Sequence, residues 1–214
     1  MAKTAEIELK VHVGNPKECK ERITGFAGKG TAISKDDAYW FTPAALRYFS
    51  GLRVRHETIG KSIKTLVTWK NKEKRGGIEV NDEHELEVSG GEDFEELLAL
   101  LGLEKQTVKH KQGWSWRYGE ITVELFEVSG YTNKLETSKL EVKKNPKKSF
   151  PAKPEQTKKI GWFLELEIIA AENSESTVTA ARDKLFALLK KTGIGEEYLE
   201  SRYYTELLEH QAGN

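Results

Sequence analysis

Cysteine occurs once in this 214-residue chain, at Cys19. One thiol excludes an internal disulfide and any cysteine-based zinc centre. Net charge is also lacking, because 34 Lys and Arg balance 34 Asp and Glu. General nucleic-acid and membrane-surface binders depend on a net basic field, so neither partner is expected, and any basic site must be local and offset by acids elsewhere. No apolar run approaches the roughly 20 residues of a membrane-spanning helix. Met1-Ala2-Lys3-Thr4 leads into the first strand without a signal-peptide core, so a soluble, reducing, cytoplasmic setting is the expectation. The five histidines, His12, His56, His84, His110 and His210, show no metal-ligand spacing. No Ser-His or Cys-His constellation points to a covalent nucleophile.

What the chain has is charge in alternating rows. Charged residues make up 32% and hydrophobic residues 37%, so extensive polar faces must accompany the core that a chain of this length can form. Side chains alternate across a β-strand. In Glu6-Ile7-Glu8-Leu9-Lys10, the two glutamates and the lysine therefore share one face, opposite Ile7, Leu9 and Val11. Arg53 and Arg55 share a face in Leu52 to Glu57, as do Lys70 and Lys72 in Thr65 to Lys72. The same holds for Glu85 and Glu87, for Lys109 and Lys111, and for Glu165 and Glu167 in Trp162 to Ile168. Asp37 to Phe41 reads as an aromatic core strand. Trp114 to Arg117 and Ile121 to Val128 read as two strands joined at Tyr118-Gly119.

Helices punctuate these strands. Asn15-Pro16 places an N-cap before a first-turn proline and predicts a helix to Ala27, ending at Gly28 or Gly30. Asp93 to Leu101 has acids at its start and Gly102 past its end. Ser174 can cap a helix carrying Val178, Leu185, Leu188 and Leu189 at helical spacing and closed by Gly193, and Glu196 to Glu209 reads as a last helical segment. Residues 131–159, with Pro146, Pro151 and Pro154, read as a flexible insertion in which Leu140 to Val142 could form a transient hairpin.

The alternation admits two structures. In one, an open antiparallel sheet exposes a wet face laced with cross-strand ion pairs. In the other, the sheet closes into a barrel with its charged faces inward, an arrangement suited to a polyanion bound with divalent ions.

The residues also carry a family resemblance. Glu6-Ile7-Glu8-Leu9-Lys10 matches the E-x-E-x-K signature of the CYTH superfamily, the triphosphate tunnel metalloenzymes, which include class IV adenylyl cyclases, thiamine triphosphatases and inorganic triphosphatases. Leu52-Arg53-Val54-Arg55, Thr68-Trp69-Lys70, Glu85-Leu86-Glu87, Lys109-His110-Lys111 and Gly161 to Glu167 follow in that family's order. Ser201 to Leu208 resembles its terminal S-Y-x-x-L-L helix. The resemblance implies an α+β, mainly antiparallel β fold, an eight-stranded closed barrel with flanking helices. It implies a single domain over 1–214, with C-terminal helices at 174–210. It further implies triphosphate binding by Lys10, Arg53, Arg55, Lys70, Lys109 and Lys111, and Mg²⁺ or Mn²⁺ on Glu6, Glu8, Glu165 and Glu167. Hard divalent cations take carboxylate oxygens, and guanidinium forks and ammonium charges suit phosphate, so the chemistry of these residues agrees.

Two positions depart from the family pattern. The resemblance sets an L-D-x-V before the last acidic strand, with its Asp facing the tunnel. Here Leu125-Phe126-Glu127-Val128 puts Phe126 at that position. Glu124, two residues earlier on the same face, is a compensating acid, and Glu127 points outward. Lys111 stands where the family more often has Arg. The expected function is metal-dependent hydrolysis of an inorganic or organic triphosphate, with Glu124 and Lys10 as catalytic candidates, in a monomer or homodimer. The alternatives are an adenylyl cyclase releasing cyclic AMP and pyrophosphate, and a non-catalytic binder of polyphosphate or nucleotide.

Overall fold

The computed structural model describes residues 4–41, 52–132 and 157–211. The alternating segments form eight strands: β1 (Thr4–His12), β2 (Thr31–Phe41), β3 (Leu52–Ile59), β4 (Ser62–Arg75), β5 (Ile78–Val88), β6 (Glu104–Tyr118), β7 (Ile121–Thr132) and β8 (Lys158–Ala170). Helices α1 (Pro16–Ala27), α2 (Gly91–Leu100), α3 (Glu175–Thr192) and α4 (Tyr204–Gln211) flank them, with a 3-10 turn at Glu196–Tyr198. Every strand pair is antiparallel. The order β1-β5-β4-β3-β2-β6-β7-β8 closes on itself as a barrel. Of the two structures that the charge alternation admits, the chain adopts the closed one.

The apolar rows point outward, and the main hydrophobic core lies between the barrel wall and the helices. Ile7, Leu9 and Val11 of β1, Leu164 and Leu166 of β8, and Val123 and Leu125 of β7 pack there against Cys19 and Ile23 of α1 and Leu185, Leu188 and Leu189 of α3. A second outer patch joins Ala38, Trp40, Val54 and Val67 to Leu98 of α2. A third cluster lies at one end of the barrel, where Ile33, Phe126, Val128 and Phe163 meet Tyr204 and Leu207 of α4.

Local signals explain the helix bounds. Asn15 Oδ1 accepts the Glu18 backbone N–H at 3.2 Å, with Pro16 in the first turn of α1. Ser174 Oγ accepts from the Thr177 backbone N–H at the start of α3, and Gly193 ends that helix at φ 75°, which L side chains resist. The β4–β5 connection is Gly76-Gly77, both at positive φ, as a two-residue hairpin turn requires.

Several expectations need correction. β5 begins at Ile78, directly after that turn and well before Glu85 and Glu87, and β2 begins at Thr31 rather than Asp37. The segments about Lys109 and Trp114 form one strand, β6. The last helical segment divides into the 3-10 turn and α4. Tyr131 and Thr132 belong to β7, and Lys158 and Lys159 to β8. The remainder of the proposed insertion, with its hairpin about Leu140, lies outside the described residues. Among the described residues, no helix is long and apolar enough to cross a membrane.

Leu185 is fully buried between α3 and the wall. Leu185→Ala is expected to cost about 2–5 kcal/mol in denaturant unfolding, the usual range for emptying a packed leucine site. Burial pushes the Cys19 thiol up to about 12, so a thiol-reactive dye at neutral pH should label the unfolded chain rapidly and the native chain slowly.

Candidate functional site

The inward rows of the eight strands line one cavity of about 400 Å³. Glu6, Glu8 and Lys10 come from β1, Glu165 and Glu167 from β8, Glu124 from β7, and Lys109 and Lys111 from β6. Arg53 and Arg55 come from β3 and Lys70 from β4. Every residue singled out from the sequence as catalytic, phosphate-binding or metal-binding therefore reaches the same space. Eight basic and nine acidic side chains share it, and ionised groups at that density must pair.

Most do pair, across the barrel or around its wall. Lys10 Nζ donates to Glu79 at 2.9 Å. Lys111 Nζ donates to both Glu165 oxygens at 2.6 Å. Lys35 Nζ donates to the two Glu124 oxygens at 2.8 and 2.7 Å. Lys70 pairs with Glu6 at 2.5 Å and also with Glu83. Asp37 receives Arg55 Nε at 2.6 Å and Nη2 at 2.9 Å, and Lys109 Nζ lies 3.0 Å away. Burial opposes the ionisation of Asp37, yet Arg55 and Lys109 hold its carboxyl well below the usual range. Burial likewise opposes that of Glu6, and Lys70 with hydrogen bonds from Glu83 and Glu8 holds it down.

Among the described residues, two carboxylates of the cavity lack such a base. Glu8 and Glu167 stand opposite one another in the β1–β8 register. Burial, with Glu165, Glu79 and Glu6 nearby, pushes the Glu8 carboxyl well above its usual value. Burial, with Glu6 and Glu124, brings Glu167 to about 8. Beside them Asn81, opposite Glu6 on β5, buries an Oδ1 that has no hydrogen-bond partner. Crowded carboxylates and an orphaned amide oxygen make an oxygen donor set that fits Mg²⁺ or Mn²⁺. Among the described residues, no three His, Cys, Asp or Glu side chains are gathered as a ready-made cage, since most of the acids are drawn to lysines.

The opposite requirement appears on the basic side. Arg53 Nη2 donates to Thr68 Oγ1 at 2.9 Å and to Glu85 at 3.3 Å, while its buried Nε has no partner among the described residues. Lys72 has no carboxylate partner among the described residues; it lies over the Tyr203 ring at 4.4 Å, and burial lowers its ammonium. Burial would raise the Tyr39 phenol, but Lys109 beside it brings the hydroxyl down to about 8. This end of the cavity suits an anion.

Helix α4 stoppers one mouth of the barrel. The Tyr204 hydroxyl donates to Glu165 at 2.6 Å, and its ring lies against the ammonium groups of Lys10, Lys109 and Lys111 at 4.5 to 4.8 Å. Phe126 takes the inward position on β7 expected of it. Its ring faces Lys111 and Lys35 at 5.2 and 5.4 Å, packed with Phe163 and Leu207. Glu127 points outward and pairs with Lys159.

Sequence reasoning missed Lys35, Asp37, Glu57, Glu79, Asn81 and Glu83 as members of this site. Their signal was present in the alternation: Asp37 and Glu57 lie within segments read as strands, and Lys35, Glu79 and Asn81 lie where β2 and β5 extend beyond those segments. Glu85 braces Arg53, whereas Glu87 pairs with Lys64 where both are exposed.

Asp37→Asn leaves Arg55 and Lys109 buried without their counter-charge, and a loss of about 3–5 kcal/mol at pH 7 is expected. A depressed carboxyl contributes fully above its unfolded value, near 3.8, and the contribution fades as pH falls through the folded value. Denaturation midpoints of the wild type and the variant should therefore converge in acid.

A family model for the CYTH domain matches residues 4–204. No curated protein matches the chain. Among solved structures, PH1012 from Pyrococcus horikoshii OT3 is 25% identical, with 95% of this chain and 99% of that one covered, at a TM-score of 0.65. A candidate adenylate cyclase from Vibrio parahaemolyticus is 18% identical over 95% and 97% of the two chains, with a TM-score of 0.67. A candidate adenylyl cyclase from Hippeastrum, described as having a dominant triphosphatase activity, is 15% identical over 97% and 96%, with a TM-score of 0.58. The last two likenesses are of fold alone.

Proposed function

The chain belongs to the CYTH domain family, and on that premise we propose that it is a divalent-metal-dependent hydrolase of a triphosphate, inorganic triphosphate being the simplest substrate. One observation carries the reading. Basic residues suited to phosphate and carboxylates suited to a hard cation converge inside one closed wall.

Lys10, Arg53, Arg55, Lys70, Lys109 and Lys111 bind the phosphate chain, with Lys72 beside them. The arginines offer planar forks and the lysines point charges. To do so, the lysines exchange carboxylate partners for phosphate oxygens, which releases Glu6 and Glu165 toward Glu8 and Glu167. A Mg²⁺ or Mn²⁺ held by these four glutamates, with the Asn81 oxygen beside them, supplies Lewis-acid polarisation of the phosphate oxygens. Glu124 orients a water and takes its proton as the water oxygen attacks the terminal phosphorus. The bridging P–O bond breaks, and orthophosphate and pyrophosphate leave. Lys10 and Lys111 offset the charge that develops on the transferring and leaving groups.

The test is purified protein with Mg²⁺ or Mn²⁺ and, separately, inorganic triphosphate, ATP and thiamine triphosphate, scored for orthophosphate and cyclic AMP. Orthophosphate release that a chelator abolishes is the expected outcome. Lys10→Ala and Lys111→Ala should each lower kcat/KM about 10²–10³-fold, as loss of one charge-stabilising donor does. Cyclic AMP as the main product from ATP would replace hydrolysis with cyclisation. Tight binding of all three triphosphates without turnover would make the chain a non-catalytic binder.

A further inference from the structure

Three pairs of carboxylates stand opposite one another on neighbouring strands of the wall. In one, Glu8 faces Glu79 across β1 and β5, and Glu79 carries the Lys10 ammonium. The other two involve β8. Glu8 faces Glu167 across β1 and β8, and Glu124 faces Glu165 across β7 and β8. Like charges in that relation repel unless a cation attends them. The two β8 pairs are attended differently. Glu165 carries the Lys111 ammonium and Glu124 that of Lys35, whereas Glu8 and Glu167 form no ion pair with a base among the described residues.

Lys35, like Lys111, holds both oxygens of one carboxylate, and of these two only Lys35 has a second carboxylate beside it among the described residues. Its ammonium has three donors. Two reach the Glu124 oxygens, and Glu57 lies 3.6 Å away on the other side. The Phe126 ring, 5.4 Å from the same nitrogen, presents no oxygen to a metal. A second divalent ion at Glu124 would have to displace an ammonium that is already bidentate there, and would find no further carboxylate at Phe126.

We propose that the barrel takes one divalent cation, at the Glu8–Glu167 pair, and that Lys35 is a built-in second cation that stays on Glu124. The proposal rests on the metal-dependent triphosphate reading above. Lys35 then acts as a positioning residue. It fixes the direction of the Glu124 carboxylate and supplies one positive charge without offering water a Lewis-acid site. Glu124 works as an oriented carboxylate, and the only divalent ion is at the opposite pair.

The count of bound Mn²⁺ tests this. The full chain, at a concentration where one equivalent of imidotriphosphate (a triphosphate with non-hydrolysable nitrogen bridges) is wholly protein-bound, is titrated with Mn²⁺, and free Mn²⁺ is read from its electron paramagnetic resonance signal. One Mn²⁺ per chain is expected for the wild type and for Glu124→Gln, none for Glu167→Gln, and two for Lys35→Gln. Two in the wild type overturns the proposal and leaves the triphosphate reading intact. None in the wild type overturns both. A count of one for Lys35→Gln, or an ion lost in Glu124→Gln and kept in Glu167→Gln, also overturns it. The wild-type count is decisive whether or not each variant folds.

Discussion

An ionised side chain enclosed by protein needs a counter-charge, and that need organises the inside of this barrel. Alternation along each strand turns the glutamates, lysines and arginines to one side. Closing the sheet then removes that side from bulk water, where unpaired charges cost several kcal/mol each. The pairs Lys10–Glu79, Lys111–Glu165, Lys70–Glu6 and Arg55–Asp37 are the result. The wall can hold such an interior because its apolar packing is elsewhere. Ile7, Leu9, Leu164 and Leu166 point outward and are covered by α1 and α3, so stability does not depend on a greasy barrel centre.

The same pairing gives the cavity its chemistry. Each paired lysine, such as Lys10 or Lys111, sits on a carboxylate with the geometry that it would use on a phosphate oxygen, and each carboxylate so held would serve a divalent ion if released. On the proposed function, triphosphate and metal together would satisfy groups that either alone would leave unpaired, and charge balance would couple their binding. Arg53 Nε, Asn81 Oδ1 and the Glu8–Glu167 pair already lack such partners. They mark where the balance is incomplete. At one end of the cavity, Tyr204 of helix α4 donates its hydroxyl hydrogen bond to Glu165.

Much of this was legible in the sequence. Alternation placed Glu6, Glu8, Lys10, Arg53, Arg55, Glu165 and Glu167 together on the charged face of each strand, since a period of two leaves little freedom once one face is apolar. The alternation alone left the sheet open or closed, and the family resemblance favoured closure. Lys35 and Asp37 were overlooked because the aromatic run Tyr39-Trp40-Phe41 dominated the reading of β2. Glu79 and Asn81 were overlooked because the clearest alternation after the Gly76-Gly77 turn is the later Glu85-Leu86-Glu87 run, whereas β5 already begins at Ile78. Partner choice was beyond reach. That Lys10 meets Glu79, or Lys35 meets Glu124, depends on which strands neighbour and how far the barrel is sheared, and neither is written in any local pattern.

The central claim is that ion pairs inside the closed wall open to receive a triphosphate and its metal. A crystal structure of the protein with imidotriphosphate and Mn²⁺ tests it most directly. The account predicts phosphate density within the barrel, with the Lys10 and Lys111 nitrogens moved from Glu79 and Glu165 onto phosphate oxygens. Phosphate bound on the outer surface, with Lys10 and Lys111 still on their carboxylates, would contradict it.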